Sequence, residues 1–332
     1  MIRADSIKIK APIDSVIDCN LEYFSNKIEK ASNSIITDTY EAKQIDFGIN
    51  RISIEHKRDS VIIEASAKAL KQDYSNGINK DNFGQFIDSI NNTNRVKLDT
   101  DLVYNNGELL RVDVTDNVKL NYNGDVLNDL SLLPLPNKYE ITPYQRKENR
   151  GLVLKGKQSS FKERMILYDK TIELKSTRYG RQFLDSFDSA QMLEEFEGTL
   201  RVENNFTQLR KIREYLGSTN VKEALTSNNK PNLMVFNKIT RSADTEVLYL
   251  FDRYEGMSIK KSIELRGIEG IIKDAKYNWS YLELWLKTKS PSNYRRERKK
   301  FKQIYNEMLN EKQKDSDISI VKMFSEALSK VA

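Results

Sequence analysis

Alternation with a period of two is the feature that most restricts this chain. In "RADSIKIKAPI", "KQIDFGINRISIEHK", "DSVIIEASAKAL" and "LLRVDVTDNVKL", β-branched and other apolar residues take every second position and charged or polar residues take the rest. Successive side chains of a strand point to opposite faces, so each run can bury one face and must leave the other polar. The pattern holds from the start to about Lys170. Asn-Gly pairs at 76–77, 106–107 and 123–124 are the turn signals between runs.

Helical periodicity interrupts the strands. "DNFGQFIDSINN" carries Phe83, Phe86, Ile87 and Ile90 on one face, with Asp81 as the expected N-cap. "LLPLPNKYEITPYQRKENRG", with prolines at 134, 136 and 143, reads as loop. After "GTLRVENNFTQL" the pattern turns helical over 209–216, 221–227, 257–265, 268–286 and 291 to about 313. The third and fourth of these helices are expected to join at Gly267 or Gly270. The mixture predicts an α+β fold rather than a βαβ repeat. The polar, turn-rich "GSTNVKEALTSNNKPN" places a boundary between residues 1–217 and a mainly helical unit at 233–332.

Composition removes several chemistries. The 332 residues include one cysteine, Cys19, and one histidine, His56. An intramolecular disulfide, a thiolate zinc cluster and any site needing two histidines are therefore excluded. A metal would rest mainly on carboxylates, which suits Mg²⁺ or Mn²⁺. No apolar run approaches the ~18–20 residues of a membrane span, and the N-terminus lacks the apolar core of a secretory signal. A cytoplasmic protein without membrane contact is expected. The net charge of +6 is compatible with a polyanionic partner. Its sharpest local source is "SNYRRERKKFKQIYNEMLNEKQK", where Arg295, Arg296, Arg298, Lys299 and Lys300 form a candidate phosphate-seeking helix face or an ordinary solvated one.

Three strands carry the candidate chemistry: "LLRVDVT" with Arg111 and Asp113, "MILYDK" with Tyr168 and Lys170, and "LRVEN" with Arg201 and Glu203. Alternate residues project from one face, so acid, tyrosine and lysine can converge there. Taken alone, Tyr168 suits a strand end with a buried ring and a wet hydroxyl, and the acids suit internal salt bridges to Arg111 or Arg201.

The segments "IEASAKALKQDYSNGINKDNFGQFIDSI", "LLRVDVT", "ERMILYDKTIEL" and "GTLRVENNFTQLRKIREYLG", in this order, resemble the filamentous-phage gene II/gene X replication initiators over residues 50 to 217. The resemblance implies a replication-endonuclease-like architecture: a central, mainly antiparallel sheet with helices on one face, followed by helices. It also implies an enzyme that nicks one strand of origin DNA to begin rolling-circle replication and later religates it. Tyr168 matches the family's nucleophile, which forms a 5′-phosphotyrosyl intermediate, with Lys170 and Glu173 at the other matching positions. Asp113 and Glu203 match its acids and are the expected Mg²⁺ ligands, with Glu64 as a third candidate. Double-stranded origin DNA, single-stranded DNA and a host helicase or polymerase are the implied partners. A plasmid initiator, a mobilisation relaxase of the same chemistry and a non-catalytic DNA-binding regulator stay open as alternatives.

Overall fold

The computed structural model describes residues 1–28, 35–42, 48–120, 126–131, 133, 135, 138–146, 149–158, 163–240, 258–275 and 277–331. Its strands are β1 (Ala4–Pro12), β2 (Val16–Cys19), β3 (Ser25–Ile28), β4 (Ile35–Glu41), β5 (Ile49–Glu55), β6 (Ser60–Ser66), β7 (Val96–Leu98), β8 (Glu108–Lys119), β9 (Tyr139–Arg146), β10 (Asn149–Gly156), β11 (Arg164–Tyr168) and β12 (Thr199–Phe206). Ten of them form one sheet in the order β3-β4-β5-β6-β1-β8-β12-β11-β10-β9, and β2 pairs with β7 separately. Every neighbouring pair is antiparallel.

The alternation sorts the two faces as expected. On one lie Ile7 and Ile9 of β1, Val61 and Ile63 of β6, Val112 and Val114 of β8, and Val202 of β12, all buried. Burying each such side chain contributes roughly 1.5–3 kcal/mol. On the other lie Lys8, Glu64, Arg111, Asp113, Glu203 and Asn205, each partly exposed.

The helices are α1 (Phe83–Asn91), α2 (Thr100–Asn106), α3 (Val126–Ser131), α4 (Lys170–Ser176), α5 (Arg178–Leu184), α6 (Ala190–Phe196), α7 (Leu209–Leu216), α8 (Val221–Leu225), α9 (Pro231–Thr240), α10 (Ile259–Asp274), α11 (Trp279–Lys289) and α12 (Tyr294–Val331). They are not confined to one face. Helix α7 stacks Tyr215 on Phe206 of the apolar face, and Asn232 of α9 donates there to Asp116. The polar face is covered at one end, where Tyr74 of a 3-10 segment (67–76) and Phe196 of α6 lie within 6 Å of the Arg201 guanidinium. A buried arginine on the polar face needs this aromatic cover, because charge alternation by itself leaves its flanks open to water.

Several local expectations change. The proline-rich stretch contains β9 and the first three residues of β10; Pro143 fits because β9 is the edge strand, where a missing N–H breaks no required pair. The N-cap position of α1 is Asn82 rather than Asp81, and its side chain does not cap the helix: it accepts from the Asn79 N–H, while the Asn79 side chain accepts from the Asn82 N–H, which locks the preceding turn. Helix α10 runs through Gly267 and Gly270. The break comes at Tyr277, in left-handed conformation, and Asn278, whose side chain caps α11. The Asn123-Gly124 turn and the helix start at Met257 lie outside the described residues.

Core packing continues across 217–233. Val235, Phe236 and Ile239 of α9, with Ile320, Val321, Phe324 and Leu328 of α12, belong to the same hydrophobic cluster as the sheet. A second cluster joins α10 and α11 to the first half of α12 through Ile272, Leu282, Leu286, Phe301 and Tyr305. Among the described residues, no helix is long and apolar enough to cross a membrane.

Candidate active site on the polar face

Strand β11 ends at Tyr168 because Asp169 accepts from the Ile172 N–H and caps α4. Lys170 is therefore the first residue of a helix, not the next same-side position of a strand. Its side chain nonetheless returns to the tyrosine: Lys170 Nζ donates to the Tyr168 hydroxyl at 3.0 Å and pairs with Glu173 at 3.0 Å. Placing Lys170 and Glu173 three apart on one helix puts them on the same side. Glu173 thus reaches the cluster through Lys170.

The neighbouring strand supplies the rest. Tyr168 sits opposite Arg201, and Ile166 opposite Glu203, so the phenol and the carboxylate share a face and lie diagonally adjacent. The Tyr168 hydroxyl donates to Glu203 Oε1 at 2.6 Å, and Arg201 Nε donates to the same oxygen at 3.3 Å. Arg201 has no exposed side-chain surface. Its other nitrogens donate to Asp5 at 2.6 Å and Asn117 at 3.1 Å. Asp5 reaches the arginine from a register shift of β1, between Ala4 and Ser6.

Asp113 stands one register step further, opposite Asn205, whose side-chain amide donates to it. Glu64 lies apart from that pair in its bonding: its carboxylate is held by Arg111 at 3.0 Å and Lys8 at 3.5 Å. Among the described residues, no group of three or more Asp, Glu, His or Cys is arranged to hold a metal ion. Each of the three acids is engaged by protein partners: Asp113 by Asn205, Glu203 by Tyr168 and Arg201, and Glu64 by Arg111 and Lys8.

Electrostatics follow from burial. Burial pushes the Tyr168 phenol well above its ordinary pKa, and the Glu203 charge adds to this while Lys170 and Arg201 oppose it. Lys170 loses hydration, yet the surrounding Tyr168, Tyr74, Asp5 and Glu173 hold its charge firmly. The resting pair is a neutral phenol beside an ammonium. Burial raises Asp113 to about 6, helped by Asp5 and Glu203 and opposed by Arg111 and Asn205. Burial alone would raise Asp5 as well, but Lys170 and Arg201 hold it down at about 2.

The basic helix face is distant from this chemistry in its bonding. Arg298 pairs with Glu283 at 2.5 Å, Lys300 with Glu264, and Arg296 with Glu297 at 3.4 Å. Arg295 and Lys299 are exposed and make no ion pair among the described residues. The aromatic residues that follow them point inward: Phe301 packs against Trp285 and Tyr305 against Trp279.

Sequence reasoning missed Asp5, Asn117, Tyr74 and Tyr144, whose ring lies 5.6 Å from that of Tyr168. Tyr74 falls within the first matched segment, so order along the chain offered a signal for it. Asp5 offered none, because a bulge shifts the alternation that would place it. No protein-family model matches the sequence, and no curated protein matches it significantly.

Proposed function

We propose that this chain is a rolling-circle replication initiator of replication-endonuclease-like architecture that nicks one DNA strand through Tyr168. The observation that supports this reading is the tyrosine hydroxyl held between Glu203 at 2.6 Å and Lys170 at 3.0 Å on a polar sheet face. A neutral phenol needs a base as it attacks phosphorus, and Glu203 is within proton-transfer distance. Lys170 then offsets the charge of the phosphodiester being attacked, while Arg201 keeps the Glu203 carboxylate aimed at the phenol. A Mg²⁺ or Mn²⁺ ion held by Asp113 and Glu203 would supply Lewis-acid neutralisation of the phosphate. Attack leaves a 5′-phosphotyrosyl link and a free 3′-hydroxyl, and the retained bond energy permits religation. Arg295 and Lys299 are free to contact backbone phosphates of origin or single-stranded DNA, a host polymerase would extend the 3′-hydroxyl, and a host helicase would be a further partner.

One observation favours a second reading, a non-catalytic DNA-binding regulator. Tyr168 is only 4% exposed and its hydroxyl is already engaged by Glu203 and Lys170, so a scissile phosphate reaches it only after part of this surrounding moves. The test is incubation of wild type and Tyr168→Phe with supercoiled DNA carrying the element's own origin, with Mg²⁺ or EDTA. Metal-dependent nicking that leaves protein on the 5′ end, absent from the variant, is the expected result. Binding without nicking by both proteins would transfer support to the regulator.

A further inference from the structure

Lys68 lies in the "ASAK" stretch, where β6 passes into the 3-10 segment, and none of the chemistry above uses it. Three cations gather beneath the polar face. Arg201 is held by Asp5, Glu203 and Asn117, and Lys170 by Glu173 and Tyr168. Lys68, only partly buried, has no carboxylate or carbonyl within hydrogen-bond distance among the described residues. Its ammonium instead lies over the Phe183 ring, 5.4 Å from the centroid. Phe183 meets Tyr74 edge-on at 5.3 Å, and Tyr74 in turn lies under Lys170 at 5.5 Å. One aromatic wall thus carries both lysines into the same neighbourhood.

We propose that Lys68 gives a proton to the departing 3′ oxygen when Tyr168 attacks the phosphodiester, an inference that rests on the nicking reading above. The Tyr168 Oη–P bond forms as the P–O3′ bond breaks. The phenolic proton passes to Glu203, and Lys68 supplies one to O3′. The products are a phosphotyrosyl diester and a 3′-hydroxyl, which carries the one proton the protein has lost. Religation reverses each transfer. An alkoxide is a poor leaving group without a proton, and an amine held by no acceptor is free to follow the oxygen. Burial, with Lys170 adding to it, lowers the Lys68 pKa, while Glu173 and Asp5 oppose the shift. These are the charged groups that face it, and their balance makes its proton easier to release than that of Lys170.

The test compares wild type, Lys68→Met and Lys68→Arg on origin DNA with either the ordinary phosphodiester or a 3′-bridging sulfur at the cleaved position. A thiolate departs without protonation. The proposal expects both variants to lose about 10²-fold or more in nicking rate on the oxygen substrate and to return near the wild-type rate on the sulfur substrate. Rescue of the oxygen substrate by Lys68→Arg would overturn it in favour of a phosphate-binding charge. Equal loss on both substrates, or no loss on either, would also overturn it. Thermal unfolding of the variants identifies any equal loss that comes from misfolding. A wild type that nicks neither substrate would remove the nicking reading itself, and this inference with it.

Discussion

Replacing Glu163 by Gln tests how the helices are fastened to the sheet. Glu163 precedes β11 and is buried, and its Oε1 receives Lys211 of α7 and Lys238 of α9, each at 2.7 Å, and the Tyr215 hydroxyl at 3.3 Å. Burial alone would raise its pKa; the two lysines reverse that and lower it from 4.5 to about 2. Holding the carboxyl down at about 2 instead of 4.5 corresponds to ~3 kcal/mol. Because the Lys238 and Glu214 side chains are each 38% exposed, solvent screening reduces the expected loss to about 2 kcal/mol. The sign is fixed by the lowered folded-state pKa: the contribution is complete above about pH 4.5 and disappears as pH falls toward 2. Urea unfolding of Glu163→Gln at pH 7 is expected to show a lower midpoint at unchanged slope. The gap to wild type should close between pH 4.5 and 2, since a protonated Glu163 resembles the glutamine. Parallel pH profiles across that range would refute the reasoning, as would equal midpoints at pH 7.

Other perturbations probe the site and the surfaces. Arg201→Met strands Asp5 and Glu203 without their shared cation and is expected to cost about 3–5 kcal/mol in urea unfolding, as removal of one partner of a buried pair does. A methyl group at Gly151 would meet the Leu167 carbonyl at 2.4 Å and the Tyr168 Cβ at 2.9 Å; Gly151→Ala should therefore lose about 1–3 kcal/mol, measured by thermal unfolding. Millimolar Mg²⁺ or Mn²⁺ is expected to raise the unfolding midpoint of wild type but not of Asp113→Asn. The double change of Arg295 and Lys299 to Gln should flatten the slope of log affinity for duplex DNA against log salt by about 2, if each contacts one phosphate.

The sheet was legible because its signal is local. In β1, β6, β8 and β12 the apolar phase of the alternation is the buried face. The convergence of Tyr168, Glu203 and Asp113 on the other face follows from the same rule once the strands are adjacent. What was hidden depends on contacts between distant segments. Asp5 enters through a bulge, Lys170 through a helix that begins one residue after the strand, and Arg201 is enclosed by aromatic residues from separate elements. Strand β9 was masked by Pro143, whose compatibility with an edge becomes visible only from the strand order. Glycine was also a poor guide in α10, where two glycines cost helix propensity without ending the helix; a left-handed tyrosine and an asparagine cap end α10 and begin α11.

Helix α12, 38 residues long, begins among α10 and α11 and finishes inside the core of the sheet, where Ile320, Val321, Phe324 and Leu328 are buried. On a ribosome adding about 5–20 residues per second, the interval between emergence of Phe206 and of Leu328 is on the order of ten seconds. For that interval every strand of the sheet exists while part of its apolar face waits uncovered. A chain that stops short of Ile320 lacks the four side chains with which α12 closes this part of the core.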